Sequence, residues 1–296
     1  MTPRTNRGLI VLLVGVVLVP LGLACSLGDI VTSLADQLAR LDCRTDAAVR
    51  VSTDRTAMLF AHDHVYQKPD EPDRDWYDTF VNEAVPRTYD DANAYLEEHA
   101  VGILFGLLSR DLTENGAMAP VAVSAGGWPQ GDSLDLVTAA SKAEPQFVHV
   151  HWSPSATTLG VGGYGGGILP DAFWLGVIEG PSTRQRTAVE RRRTFVHEFG
   201  HVLELEHNDV AGNLMNENTT GDTITAQQLA DMRETLNSRR PLWLVLSCRK
   251  DAALRQIVRD NSGDEIVTAV CKRSATSVPR TRPSRSEAAG TRAPCP

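Results

Sequence analysis

Positive charge is scarce: 29 Lys and Arg stand against 37 Asp and Glu, giving a net charge of −8. That balance argues against a general nucleic-acid binder. Long apolar runs are scarce too. The longest, residues 8–24, is slightly short for a bilayer span and contains Pro20. The glycine-rich stretch 159–169 holds a loose Gly-x-Gly-x-x-Gly, but no helix pattern follows it, which argues against a dinucleotide loop. Acidic residues crowd 62–91 without the spacing of a known calcium loop, so Ca²⁺ has no motif to support it and the stretch reads as a solvated connector.

What is present begins with an export signal over residues 1–24, where Arg4 and Arg7 precede the apolar run. Gly22-Leu23-Ala24 offers small residues for cleavage. Leu21 to Cys25 resembles a lipobox with Gly22 where Leu is usual, so lipidation at Cys25, plain cleavage and an uncleaved anchor all stay open. Four further cysteines, Cys43, Cys248, Cys271 and Cys295, suggest disulfides in an exported chain, with Cys248–Cys271 the preferred pair.

At 296 residues and 42% hydrophobic, the chain can hold one large or two modest domains. Helical spacing predicts a helix over 29–41. A strand-like segment lies within 47–60; His62 and His64 of the acidic connector could form a small metal clip but, with no partner evident, read as surface residues. Asp90-Asp91 is expected to cap a long helix running through Leu108. Strands are expected at 121–124, 147–152 and 172–178. The second alternates with period two, placing His149 and His151 on one face, where they read as solvent-facing or satisfied by neighbours, not as ligands. Ser182 with Gln185 offers a capping box for the next helix, whose buried stripe includes Ala188, Val189, Phe195, Val196, Phe199, Val202 and Leu203. Thr225 is the N-cap of a further helix. Pro241 marks a boundary, and the basic Pro/Ser/Arg-rich tail 274–296 reads as disordered.

The chemistry concentrates at His197-Glu198-Phe199-Gly200-His201. Histidines four apart on a helix share a face, so two imidazoles can reach one Zn²⁺ at about 2.0–2.1 Å. Glu198 between them can serve as general base and then general acid. A catalytic zinc normally takes three protein ligands. His207, six residues after His201, supplies the third if the helix breaks between Val202 and Leu205. Glu204 as ligand from a continuous helix is awkward, lying roughly 10 Å along the axis from His197.

These residues, with Met215 in Gly212-Asn213-Leu214-Met215, resemble the metzincin clan of metallopeptidases, whose pattern is H-E-x-x-H-x-x-G-x-x-H followed by a methionine turn. The resemblance departs at Glu204, where the family has Gly, and at Glu217, where some members place a tyrosine. It implies an α+β fold: a twisted mixed sheet, a backing helix, a zinc-binding active-site helix and a smaller, mostly helical C-terminal subdomain. It implies metal ligands His197, His201 and His207, catalytic Glu198, and Met215 as a structural floor. The implied layout is a signal over 1–24, an extension or pro-segment over 25–89, a catalytic domain over 90–240, an appendage over 241–273 and a tail over 274–296. In it the glycine-rich stretch is either an edge strand for substrate pairing or a mobile loop. A matrixin-like latency thiolate at Cys43 lacks the family's surrounding segment. The implied function is a secreted or membrane-attached zinc endopeptidase acting on protein or peptide. The alternatives are a non-catalytic surface lipoprotein with a structural zinc and a gluzincin-like peptidase using a downstream acid such as Glu234.

Overall fold

The computed structural model describes residues 27–45, 49–66, 79–113, 139, 142–153, 172–176, 187–216, 221–239 and 242–276. The strand expected at 121–124, the glycine-rich stretch, the export signal, Cys25, Ser182, Gln185, Glu217 and Cys295 lie outside them.

The fold is α+β. Among the described residues, five strands form one mixed sheet: β1 (Arg55–Tyr66), β2 (Ile103–Thr113), β3 (Val148–Ser153), β4 (Ala172–Gly176) and β5 (Val245–Arg249). The order β2-β1-β3-β4 is parallel throughout, and β5 runs antiparallel to β1. β5 takes the half of β1 from Arg55 to Leu59, while β3 takes Ala61 to Val65 on the other half. β1 is therefore central, and both of its faces are buried, as parallel strands require. Ala57, Leu59, Ala61 and Val65 point into one apolar core; Met58 and Phe60 point into another.

Among the described residues, six α-helices surround the sheet. They are α1 (Leu27–Arg40), α2 (Val85–Glu98), α3 (Ala188–Val202), α4 (Ala226–Glu234), α5 (Ala252–Asp260) and α6 (Gly263–Thr276). α2 and α3 pack against each other on the first face. Residues of α1, α5 and α6 fill the second core. None is long and apolar enough to cross a membrane.

Several expectations are corrected. The acidic connector does not begin at His62, because residues 62–66 complete the buried strand β1. The helix expected from Asp90 to Leu108 is two elements. α2 starts at Val85 with Pro86 in its first turn, then ends in a Schellman cap in which Val101 N–H donates to Leu96 O (2.9 Å) and Ala100 N–H to Glu97 O (2.9 Å). The apolar run beyond, Ile103 to Leu108, belongs to β2. Residues 241–273 do not stand apart, since β5 pairs with β1 and α5 and α6 complete the second core. Cys248 pairs with Cys43, not Cys271, which ties the turn after α1 to β5 and excludes a latency thiolate at Cys43. Cys271 is disulfide-bonded as well.

Candidate metal centre

α3 starts one turn later than expected. Thr187 is its N-cap: Glu190 N–H donates to Thr187 Oγ1 (3.3 Å), and Thr187 N–H to Glu190 Oε2 (2.7 Å), a capping box. Val189, expected in the buried stripe, is 49% exposed at this first turn. The next turns bury Phe195, Val196, Phe199 and Val202. Phe195 lies edge-on to Tyr89 (4.9 Å) and Phe105 (5.2 Å), and Phe199 to Phe105 (4.6 Å), which seats α3 on α2 and the sheet. Beside this aromatic group the buried Asp63 accepts from Tyr89 Oη (2.5 Å) and Trp152 Nε1 (3.0 Å).

The helix ends where the triad needs it to end. Leu205 N–H donates to Gly200 O (2.9 Å) and Glu204 N–H to His201 O (2.8 Å), a second Schellman cap. Glu204 occupies its left-handed position with φ of 66°. A side chain there costs about 1–2 kcal/mol, so Glu204 performs the turn made by Gly in the resembling family. It is exposed and is not part of the histidine group.

Past the turn the chain doubles back and brings His207 to the other two histidines. Its Nε2 lies 3.2 Å from His197 Nε2 and 3.0 Å from His201 Nε2. Zinc–nitrogen bonds of about 2.0–2.1 Å in a tetrahedral site separate ligand nitrogens by roughly 3.3 Å. His197 Nδ1 donates to Leu214 O and His201 Nδ1 to Leu205 O, both at 2.7 Å. These carbonyls assign the tautomer and leave each Nε2 with a lone pair facing His207. One N–H on His207 cannot point at both lone pairs, whereas a cation between the three nitrogens satisfies all of them. Burial pushes the pKa of His197 down and that of His201 down to about 4, so both are neutral, as ligands must be.

Glu198 is 5% exposed, and its Oε1 lies 3.9 Å from His197 Nε2. Met215 is fully buried and held in place by Asn208 N–H donating to its carbonyl (3.0 Å). His197, His201 and His207 form a group whose ligand atoms all lie within 4.8 Å of one another, a group that does not include Glu234. A second such group joins His62, His64 and His149. The structure corrects the reading of His62 and His64 as surface residues, since His64 is buried and His62 half-buried. Of the two readings for His149 and His151, exposure to solvent is ruled out and contact with neighbours holds, His149 bonding His64 and Glu144 and His151 stacking on His64.

No family model and no curated protein matches the chain. Among solved structures it is similar to a chain described as "Structure of a chaperone-substrate complex", with TM-score 0.42, 8% identity, and 62% of this chain and 38% of that one covered. It is also similar to metalloproteinase-II from Bacteroides fragilis, with TM-score 0.38, 11% identity, and coverage of 69% and 60%. The chain thus spans less than two thirds of either, and at such scores the likenesses do not extend to function.

Three supporting residues escape a reading of the sequence. A Cβ on Gly200 would stand 2.6 Å from Met215 Sδ, so glycine lets the methionine approach under the histidines. A glycine inside a helical pattern is itself a signal of such packing. Asn213 Oδ1 accepts from Met215 N–H (2.8 Å), Asn208 Nδ2 (2.9 Å) and Gln228 Nε2 (3.0 Å), tying the turn to α4. Asp222 accepts from Arg192 (3.0 Å) and Arg193 (3.2 Å), fastening the loop beyond the turn to α3. Nothing in the local sequence announces either contact.

Proposed function

We propose that the chain is an exported zinc endopeptidase, with His197, His201 and His207 as metal ligands and Glu198 as the catalytic proton carrier. The observation that carries the reading is the convergence of three ring nitrogens, two with assigned lone pairs, beside a buried carboxylate. A structural zinc has no use for that carboxylate. Bound zinc would supply Lewis acidity, polarising a substrate carbonyl and acidifying a water toward a pKa of about 7. Glu198 takes one proton from the attacking water as the new C–O bond forms, then gives it to the leaving nitrogen as the C–N bond breaks. The carbonyls of Leu214 and Leu205 keep the two helix imidazoles in their ligand tautomer throughout. Met215, behind Gly200, keeps the helix turn rigid and does no chemistry. His207 is exposed, so the open side of the site faces solvent, where an extended protein segment can enter.

Export is supported by the Cys43–Cys248 disulfide, which persists in oxidising compartments, together with the N-terminal signal pattern. Membrane attachment through Cys25 belongs to the same proposal.

The test compares wild type with Glu198→Gln for bound zinc and for cleavage of unfolded protein. Equal zinc, with cleavage lowered by about 10²–10⁴-fold or more in the variant, supports the reading. Zinc without cleavage in either protein makes the centre structural and overturns it.

A further inference from the structure

On the face of the sheet opposite α3, β1 and β3 bring four histidines together. The parallel register sets His62 beside His149 and His64 beside His151, and alternate residues of a strand share a face. Phe60 and Phe147, one step earlier on the same face, lie in the second apolar core. The histidines extend that layer toward the strand ends. Their rings stack, at 4.7 Å for His62–His64, 5.2 Å for His64–His149 and 4.5 Å for His64–His151. His149 and His151 are fully buried, and His64 is 8% exposed. Aliphatic side chains would fill such a layer at lower desolvation cost.

We infer that His62, His64 and His149 form a second metal site, a three-imidazole centre for a zinc-class divalent cation that clips β1 to β3. The bonding pattern repeats that of the first triad. His149 Nε2 donates to Glu144 O (2.9 Å), which leaves its Nδ1 lone pair facing His64 Nε2 at 2.9 Å. His62 Nδ1 pairs with Glu144 Oε2 (2.6 Å), the carboxylate–histidine arrangement that orients a metal ligand and leaves Nε2 as its basic nitrogen. The three residues offer ligand atoms within 4.8 Å of one another. An all-imidazole donor set suits zinc and its neighbours better than calcium or magnesium. His151, stacked behind His64, packs the site from within. Among the described residues, the carboxylate bonded to this cluster, Glu144, orients His62, and in the role proposed the site is structural. It holds β1 and β3 in register from one face while Asp63 and Trp152 hold them from the other. The inference is independent of the peptidase reading.

The experiment counts zinc by mass spectrometry on the full chain after dialysis at micromolar free zinc. Wild type should hold two ions. A His197→Ala/His207→Ala variant should retain one, and should melt several degrees higher with zinc than with chelator. Adding His62→Gln, at the rim of the second cluster, should remove that ion and the zinc-dependent shift together. A triad-deficient variant without zinc, or one whose zinc and melting shift survive His62→Gln, overturns the inference. If a variant does not fold, Co²⁺ titration of wild type decides. Two equivalents with distinct absorption spectra sustain the second site, and saturation at one equivalent removes it.

Discussion

The two histidine clusters use the same donor chemistry on opposite faces of one sheet, and they differ in access and in what the neighbouring carboxylate does. The cluster on β1 and β3 is rigid, because strand register alone brings its rings together, and two of its four histidines are fully buried. The triad is assembled from a helix, a left-handed turn at Glu204 and a returning loop, and its third imidazole is exposed. Glu144 pairs with a ring nitrogen at 2.6 Å, whereas Glu198 stands 3.9 Å from one. Shared donors do not imply a shared function; on the proposed reading, the open side and the position of the acid separate a hydrolytic centre from a clip.

Acid should expose this difference most strongly in the chelated protein. His64, facing His62 and His149 with Glu144 at the rim, has its pKa pushed down to about 3 by burial first and by those two rings second. The folded state therefore binds fewer protons than the unfolded state between the ordinary histidine value of 6.5 and about 3. The stabilisation is complete above 6.5 and is lost as pH falls through that window, at ~1.4 kcal/mol per unit for each such group. His201, held down to about 4, acts in the same direction. The urea midpoint of the chelated protein should fall from pH 7 to pH 5 by an amount equivalent to a few kcal/mol. A midpoint unchanged over that range would mean that neither cluster is buried as described.

Gly200→Ala touches the triad alone. Its new methyl meets Met215 Sδ at 2.6 Å, and Met215 is fully buried. Overpacking of this kind costs about 1–3 kcal/mol. Zinc affinity of the triad should fall while the ion held by the strand cluster is unchanged, as read by competition with a chelating dye.

The smallest effect concerns the turn. Glu204→Gly relieves the left-handed backbone but loosens the unfolded chain, for a net gain of about 0.5–1 kcal/mol. Unfolding midpoints measure it. A loss of stability would show that the exposed glutamate contributes more than its backbone strain costs. Asp42 and Ala100 occupy the same cap position after α1 and α2 with φ of 50° and 52°, so three helices end this way without glycine.

Those caps mark where sequence and structure part. The run after Ala100 is apolar at every period, and with alanine rather than glycine at the cap position itself it continues the helical pattern of α2. Its place as a strand follows from pairing with β1, a distant segment. β5 and the Cys43–Cys248 bridge, 205 residues apart in sequence, depend in the same way on contacts that no local pattern encodes. His62 and His64 alternate on one strand and His149 and His151 on another, so each pair looks superficial until the strands are set side by side. The convergence of the three histidines is legible because its spacing is local: two histidines one helical turn apart and a third just past the break. The Thr225 cap was legible too, since Thr225 and Gln228 complete the capping box within four residues.

Anomalous diffraction at the zinc edge from crystals of the zinc-loaded protein tests the central claim most directly. A peak about 2.0–2.1 Å from Nε2 of His197, His201 and His207 together, beside Glu198, is the predicted result. A protein that binds zinc but shows no density between those three nitrogens would contradict it.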